Sequence, residues 1–242
     1  MANHVLMSDV AIKLPMRIIE GVRLQLSQIR YAMLLTGAGV LIGLVPVILL
    51  ISLRHVEPEL LTRDIFASTD SPIYTGFLSN LGLFVWSAAA AIWLLAALLL
   101  ARVDLRHPLL PFAIGSGLFS TLMLFDDAFM FHELLLPDYL GIPEKAVMLA
   151  YILIAMSYVG LNIRHILRSP YILLGMAVGF LGLSMALDEF VRISELETLI
   201  EDSLKFAGIV FWCGYAATAA IQIVEGMIDK PDTPAGARAN SD

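Results

Sequence analysis

Cysteine, charge and clustered basic residues are all scarce in this 242-residue chain. Its one cysteine, Cys213, lies inside an apolar run, which excludes a disulfide framework and a cysteine metal cluster. Only 15% of residues are charged while 59% are hydrophobic, and the mean hydropathy is +0.82. That leaves too little polar surface to cover a water-soluble core, and an integral membrane protein is the class that remains. Lys and Arg number 15 against 22 Asp and Glu, for a net charge of -7. With no basic patch of useful size, nucleic acid is not expected as a partner. The first thirty residues hold Lys13, Arg17, Arg23 and Arg30 but no uninterrupted apolar core followed by a small-residue cleavage site. This speaks against a removable signal peptide, so the first true span is expected to serve as its own export signal. No internal repeat is found, which leaves an inverted-repeat transporter unsupported.

What the chain does have is long apolar runs. A hydrocarbon layer about 30 Å thick takes roughly 20 apolar residues in helix. Six such runs occur, over about 31 to 53, 77 to 101, 109 to 136, 146 to 163, 170 to 189 and 203 to 225. The expected fold is all-α, a polytopic membrane bundle of six transmembrane helices over 31–228, with a cytoplasmic N-terminal segment 1–30 before it. The tail 229–242, with Pro231, Pro234 and Gly236, is expected to be disordered. In the N-terminal segment Ile12, Ile18, Ile19 and Val22 alternate with Lys13, Arg17 and Arg23. That pattern suits an interfacial amphipathic helix, with Pro15 counting against it.

Short loops rich in Lys and Arg stay in the cytoplasm. With the N-terminus inside, ten of the fifteen basic residues fall on the cytoplasmic side, among them Arg102, Arg106, Arg164, Arg168 and Lys230. Both termini are accordingly expected in the cytoplasm of a bacterial-type inner membrane. Ser169-Pro170 reads as a cap with proline in the first helical turn, and Ser194 with Glu197 as a capping box opening the last helix. Gly39 with Gly43, and Gly175 with Gly179, offer small faces for close helix approach, or are ordinary filler of membrane helices.

The residues that membrane spans should not carry are Asp126-Asp127, His132-Glu133, Asp188-Glu189 and Glu201-Asp202 with Lys205. An ionised side chain in a span costs about 2.5 to 3.5 kcal/mol on insertion scales unless something pairs with it. If the third helix runs to about Leu136, Asp126 lies about 15 Å inside its outer end, and Asp126 and Glu133, seven apart, share a face. Glu201 and Lys205 form a favourable i, i+4 pair. Three helices deliver carboxylates to the same leaflet, which predicts one outward-facing polar chamber. Seven acids there face only Lys205, Arg192 and a protonated His132. Either a divalent metal or retained protons would supply the missing positive charge.

For a metal the expected ligands are Asp126, Asp127, His132, Glu133 and Asp188, mostly oxygen with one imidazole, and the identity of the metal is not readable. Glu201, Asp202 and Lys205 are the expected catalytic groups: an acid as general base on bound water, and the lysine to offset developing negative charge. The opposite reading is that the acids and cations are ion pairs that only fix how the helices assemble. A ferritin-like di-iron site is disfavoured because no Glu-x-x-His occurs. Zinc held by three histidines fails on the outer side, where only His55 and His132 fall. Trp86, Trp93, Trp212 and Tyr215 are assigned to packing or lipid contact.

The pattern Asp-Asp-x-x-x-x-His-Glu at Asp126 to Glu133, with Glu-Asp-x-x-Lys-x-x-Gly at Glu201 to Gly208, resembles an uncharacterised group of bacterial multi-pass membrane proteins. The resemblance covers most of the chain and implies no activity. A looser likeness is to the membrane hydrolases that include alkaline ceramidases and adiponectin receptors, which hold zinc inside seven helices. This chain has six spans and no His-x-x-x-His on its final one, so their zinc site is unmatched. Three functions follow as alternatives. The first is a metal-assisted hydrolase or transferase acting on a lipid or lipid-linked substrate. The second is a cation or proton transporter or channel. The third is a non-catalytic accessory or assembly subunit. Membrane lipid is the expected partner, with a helix-mediated oligomer or membrane complex also open.

Overall fold

The computed structural model describes the backbone of residues 76–190 and 195–228. Before them it describes residues 30, 33–34, 36–38, 40–42, 44–58, 61, 71–72 and 74–75. The amphipathic segment within 1–29, the tail 229–242, Gly39, Gly43, Arg192, the Ser194–Glu197 capping box and the Glu189 side chain all lie outside the described residues.

The chain divides into two units, residues 1–75 and 76–242. The first carries α1, Thr36–Arg54. The second carries α2 (Phe77–Val103), α3 (Leu110–Phe129), a π-helix (Phe131–Tyr139), α4 (Glu144–Ile166), α5 (Tyr171–Phe190) and α6 (Glu195–Ile228). No strand occurs among the described residues, so the fold is all-α. Six of the helices are long and apolar enough to cross a membrane.

Within the second unit α2 is central, packing against both α3 and α6, while α5 packs on α6. The α2–α3 turn is set by Asp104, whose carboxylate accepts the Arg106 N–H at 2.8 Å. Pro111 then sits in the first turn of α3, where its missing N–H does no harm. Trp86 and Trp93 from α2, Phe112 from α3 and Trp212 and Tyr215 from α6 form an aromatic core. Trp93 meets Phe112 edge-on, ring centres 5.4 Å apart, the arrangement their quadrupoles favour. The packing assignment of these aromatics holds. Around them Ala89, Ala97, Ala216 and Ala219 are buried and let the backbones close up. Hydroxyls take up some of the buried polar atoms, the Trp212 indole donating to Ser120 at 2.9 Å, while the buried Trp93 indole N–H meets no acceptor among the described residues. Ser169 donates to the Ile166 carbonyl at 2.7 Å and takes the Tyr215 hydroxyl at 2.9 Å. Ser169 thus ties the α4–α5 turn to α6.

Among the described residues the close approaches to a neighbouring backbone fall at Gly208 and Gly117, and Gly175 and Gly179 fit the filler alternative. A Cβ at Gly208 would stand 3.0 Å from the Leu181 backbone nitrogen, and one at Gly117 would stand 3.3 Å from that of Leu94; Gly175 and Gly179 have nothing within 4 Å. The reason is which face is used, since α5 presents Leu181 to α6 and leaves Gly175 and Gly179 in open space.

The third apolar run is not one helix to 136. It stops at Phe129, and Met130 takes a left-handed conformation (φ 49, ψ 51) with its N–H on the Asp126 carbonyl. Leu134 and Leu135 both donate to the Met130 carbonyl and start the π-helix, which carries Pro137 inside it. Asp126 is therefore three residues from the end of α3, about 5 Å along the axis rather than 15. The seven-residue spacing to Glu133 no longer defines a shared face, because a left-handed residue redirects the chain between them.

Candidate functional site: a charged end of the bundle

The C-terminal end of α3, the π-helix, and the N-terminal ends of α2, α4 and α6 meet at one end of the second unit. The two adjacent aspartates point to different helices, as consecutive helical residues must, about 100° apart.

Asp126 is buried, 5% exposed. Its carboxylate accepts the His132 backbone N–H at 3.1 Å, the His132 Nδ1 at 2.6 Å and the Tyr151 hydroxyl of α4 at 2.9 Å. Three donors on one carboxylate repay the cost of burying it. The Met130 reversal is what makes this possible, bringing residue 132 back over residue 126. With Nδ1 held by Asp126, the other ring nitrogen is presented outward, 3.4 Å from a Glu133 carboxylate oxygen. The hydrogen bond to Asp126 raises the pKa of His132 above its usual 6.5; burial opposes this, and the charges of Asp126 and Glu133 reinforce it.

Asp127 turns toward the core side. It accepts the Trp86 indole N–H of α2 at 2.9 Å and pairs with Lys205 of α6 at 2.8 Å, so one carboxylate ties three helices. A cleft of about 40 Å³, enough for a water molecule, lies beside the pair, walled by Ser79, Gly82, Asp202 and Phe206.

Glu201 is half-buried and Asp188 and Asp202 are exposed. Glu201 is within electrostatic reach of Asp188, Asp202, Lys205 and Glu133, and Lys205 within reach of Asp127, Glu133 and Asp126. The charged groups do gather at one end. Six acids, Asp126, Asp127, Glu133, Asp188, Glu201 and Asp202, gather with Lys205 and His132, and Asp138, Glu144 and Lys145 lie at the same end on the π-helix and α4. They gather as two separate clasps with an acidic rim. Among the described residues no group of three or more His, Cys, Asp or Glu is arranged to hold a metal ion. Of the ligand set expected from sequence, Asp126, His132 and Glu133 stand together, Asp127 is committed to Lys205, and Asp188 lies on α5.

Two partners escaped the sequence reading, although spacing held a signal for both. Trp86 and Trp93 are seven apart and share the buried face of α2, where an indole N–H needs an acceptor. Tyr151 and Tyr158 are likewise seven apart on α4, and both reach α3.

The fold and this charged end define a polytopic helical membrane protein with Asp–His and Asp–Lys pairs clasping its helices. The chain belongs to the family described as a domain of unknown function (DUF8692), whose model matches residues 32–219. Comparison with curated proteins and with solved structures finds no match.

Proposed function

We propose that the protein is a membrane-embedded hydrolase or transferase acting on a lipid or lipid-linked substrate, with the Asp126–His132 dyad as its acid–base centre. The observation that carries this is the pairing of a buried carboxylate with Nδ1 of an imidazole whose Nε2 is left facing the rim. A carboxylate so placed fixes the tautomer and orientation of a histidine that takes a proton at Nε2 from water or a substrate hydroxyl. Lys205, held by Asp127 and still 40% exposed at its side chain, offsets negative charge developing beside the cleft. Glu201 and Asp202, on the Lys205 side of this end, are the alternative bases.

The metal-assisted form of the reaction is the second version of this proposal. Carboxylates commonly orient metal-ligating histidines through the second ring nitrogen, which would leave His132 Nε2 and Glu133 as ligands, with Glu201 or Asp188 drawn in. Elemental analysis of wild type, His132→Ala and Asp127→Ala separates the two forms. A stoichiometric metal lost only in His132→Ala places the ion on the imidazole, and no metal in wild type leaves the dyad acting alone. The proposed orientation puts this end on the extracytoplasmic side of a bacterial-type inner membrane.

One observation favours a non-catalytic accessory role: each buried acid ties helices together. A purely structural pair tolerates joint replacement by apolar residues, whereas loss of one partner strands the other charge. Lys205→Met alone is expected to cost about 1–3 kcal/mol, discounted for the exposure of Lys205, and Asp127→Leu with Lys205→Met much less. The deciding assay incubates reconstituted protein with total membrane lipid and reads released or transferred groups by mass spectrometry. Turnover abolished by His132→Gln at unchanged thermal stability supports the enzyme; a wild type that leaves every lipid class intact gives the accessory reading.

A further inference from the structure

Helices α3 and α4 hold each other at two points. At the charged end Tyr151 donates to Asp126 at 2.9 Å. Seven residues along α4, Tyr158 donates to the Phe112 carbonyl at 3.0 Å and takes the Ser116 hydroxyl. Between these pins the helices part, leaving an apolar groove of about 170 Å³ whose walls include Gly115, Leu118, Leu122 and Ile154. Of the side chains on α4, only Val147 and Ile166 are buried, so the groove is open along its flank. It begins four residues from Asp126, about 6 Å along the α3 axis, and runs about 10 Å further to Gly115. The floor needs glycine there, since a Cβ at Gly115 would stand 2.7 Å from the Tyr158 ring.

We propose that this groove seats the headgroup-proximal part of one acyl chain of a membrane lipid whose headgroup carries an ammonium group, with the headgroup at the Asp126–His132–Glu133 end. The groove lies inside two membrane-spanning helices, and an unfilled apolar gap there forfeits dispersion contacts that a neighbouring lipid tail supplies. The headgroup follows from charge complementarity. At the headgroup end Glu133, with Glu201 in electrostatic reach of it, adds to Asp126 and Asp127, which are paired with His132 and Lys205. Asp138 and Glu144 outnumber Lys145 on the π-helix and α4, so this end attracts an ammonium and repels a headgroup of net negative charge. Site and substrate class rest on the lipid-directed reading above, while retention of the lipid requires no turnover.

The test reconstitutes the full chain in vesicles of equal parts phosphatidylethanolamine and phosphatidylglycerol and measures lipid retained after mild detergent extraction by native mass spectrometry. The expected result is one phosphatidylethanolamine per chain, favoured at least tenfold. Leu122→Trp and, independently, Leu118→Trp fill the groove and remove the retained lipid; Ile172→Trp, on exposed α5 surface, keeps it. Joint Glu133→Gln and Glu201→Gln replacement brings the two lipids to parity. Equal retention of both lipids by wild type, no retained lipid, or retention unchanged in both groove variants overturns the proposal. Selective retention with no turnover removes the enzyme reading and leaves this one standing, and turnover without selective retention does the reverse.

Discussion

At the scale of the residue, His132 is the group whose chemistry depends most on one neighbour. The hydrogen bond and charge of Asp126 hold its proton more tightly in the folded protein than in the unfolded chain. Its contribution to stability is therefore complete below about pH 6.5 and fades as pH rises through the elevated folded value. A base must be neutral to work, so the acid limb of the kcat/KM profile should lie above pH 6.5, and Asp126→Asn should move it downward while flattening the pH dependence of stability. A limb unmoved by Asp126→Asn would show that another group is the base. The sequence displayed the acids and the histidine but not their pairing. Helical spacing put Asp126 with Glu133, and the pairing with His132 depends on one positive φ at Met130, a residue type with no preference for that conformation.

At the scale of the element, most of the six runs were legible because a bilayer imposes length on any apolar helix. The third was misjudged because hydrophobicity continues through Met130 to Leu136 while the backbone does not, and apolar composition is blind to a change from α to π winding. Glycine faces were also opaque, since spacing gives a stripe but not the neighbour it meets. Gly208→Ala should push a methyl group against the Leu181 backbone and cost about 1–3 kcal/mol. Gly175→Ala, with open space around it, should be neutral or stabilise by up to about 1 kcal/mol through helix propensity. Thermal unfolding in detergent separates them, and equal effects would mean that α5 and α6 do not pack through Gly208.

At the scale of the whole molecule, charge bias gives an orientation that cysteine labelling tests directly. In a Cys213→Ala background, Gly141→Cys, between the π-helix and α4, should react with a membrane-impermeant maleimide on intact cells. Leu105→Cys, between α2 and α3, should react only after lysis, and the reverse pattern would invert the proposed topology. Architecture at this scale was readable as a number of spans and hardly at all as an order of packing. Sequence neighbours pack closely, α2 on α3 and α5 on α6, but Trp86, Trp93, Trp212 and Tyr215 also join α2 to α6, the first and last helices of the unit. By contrast, the short link from Leu140 to Pro143 leads into α4, the helix that grips its neighbours least. The second unit is thus closed like a bracelet, its end helices joined across the one weak link at α4. Severed at Gly141 and made as two separate polypeptides, its halves would still carry complementary aromatic faces by which to find each other in the bilayer.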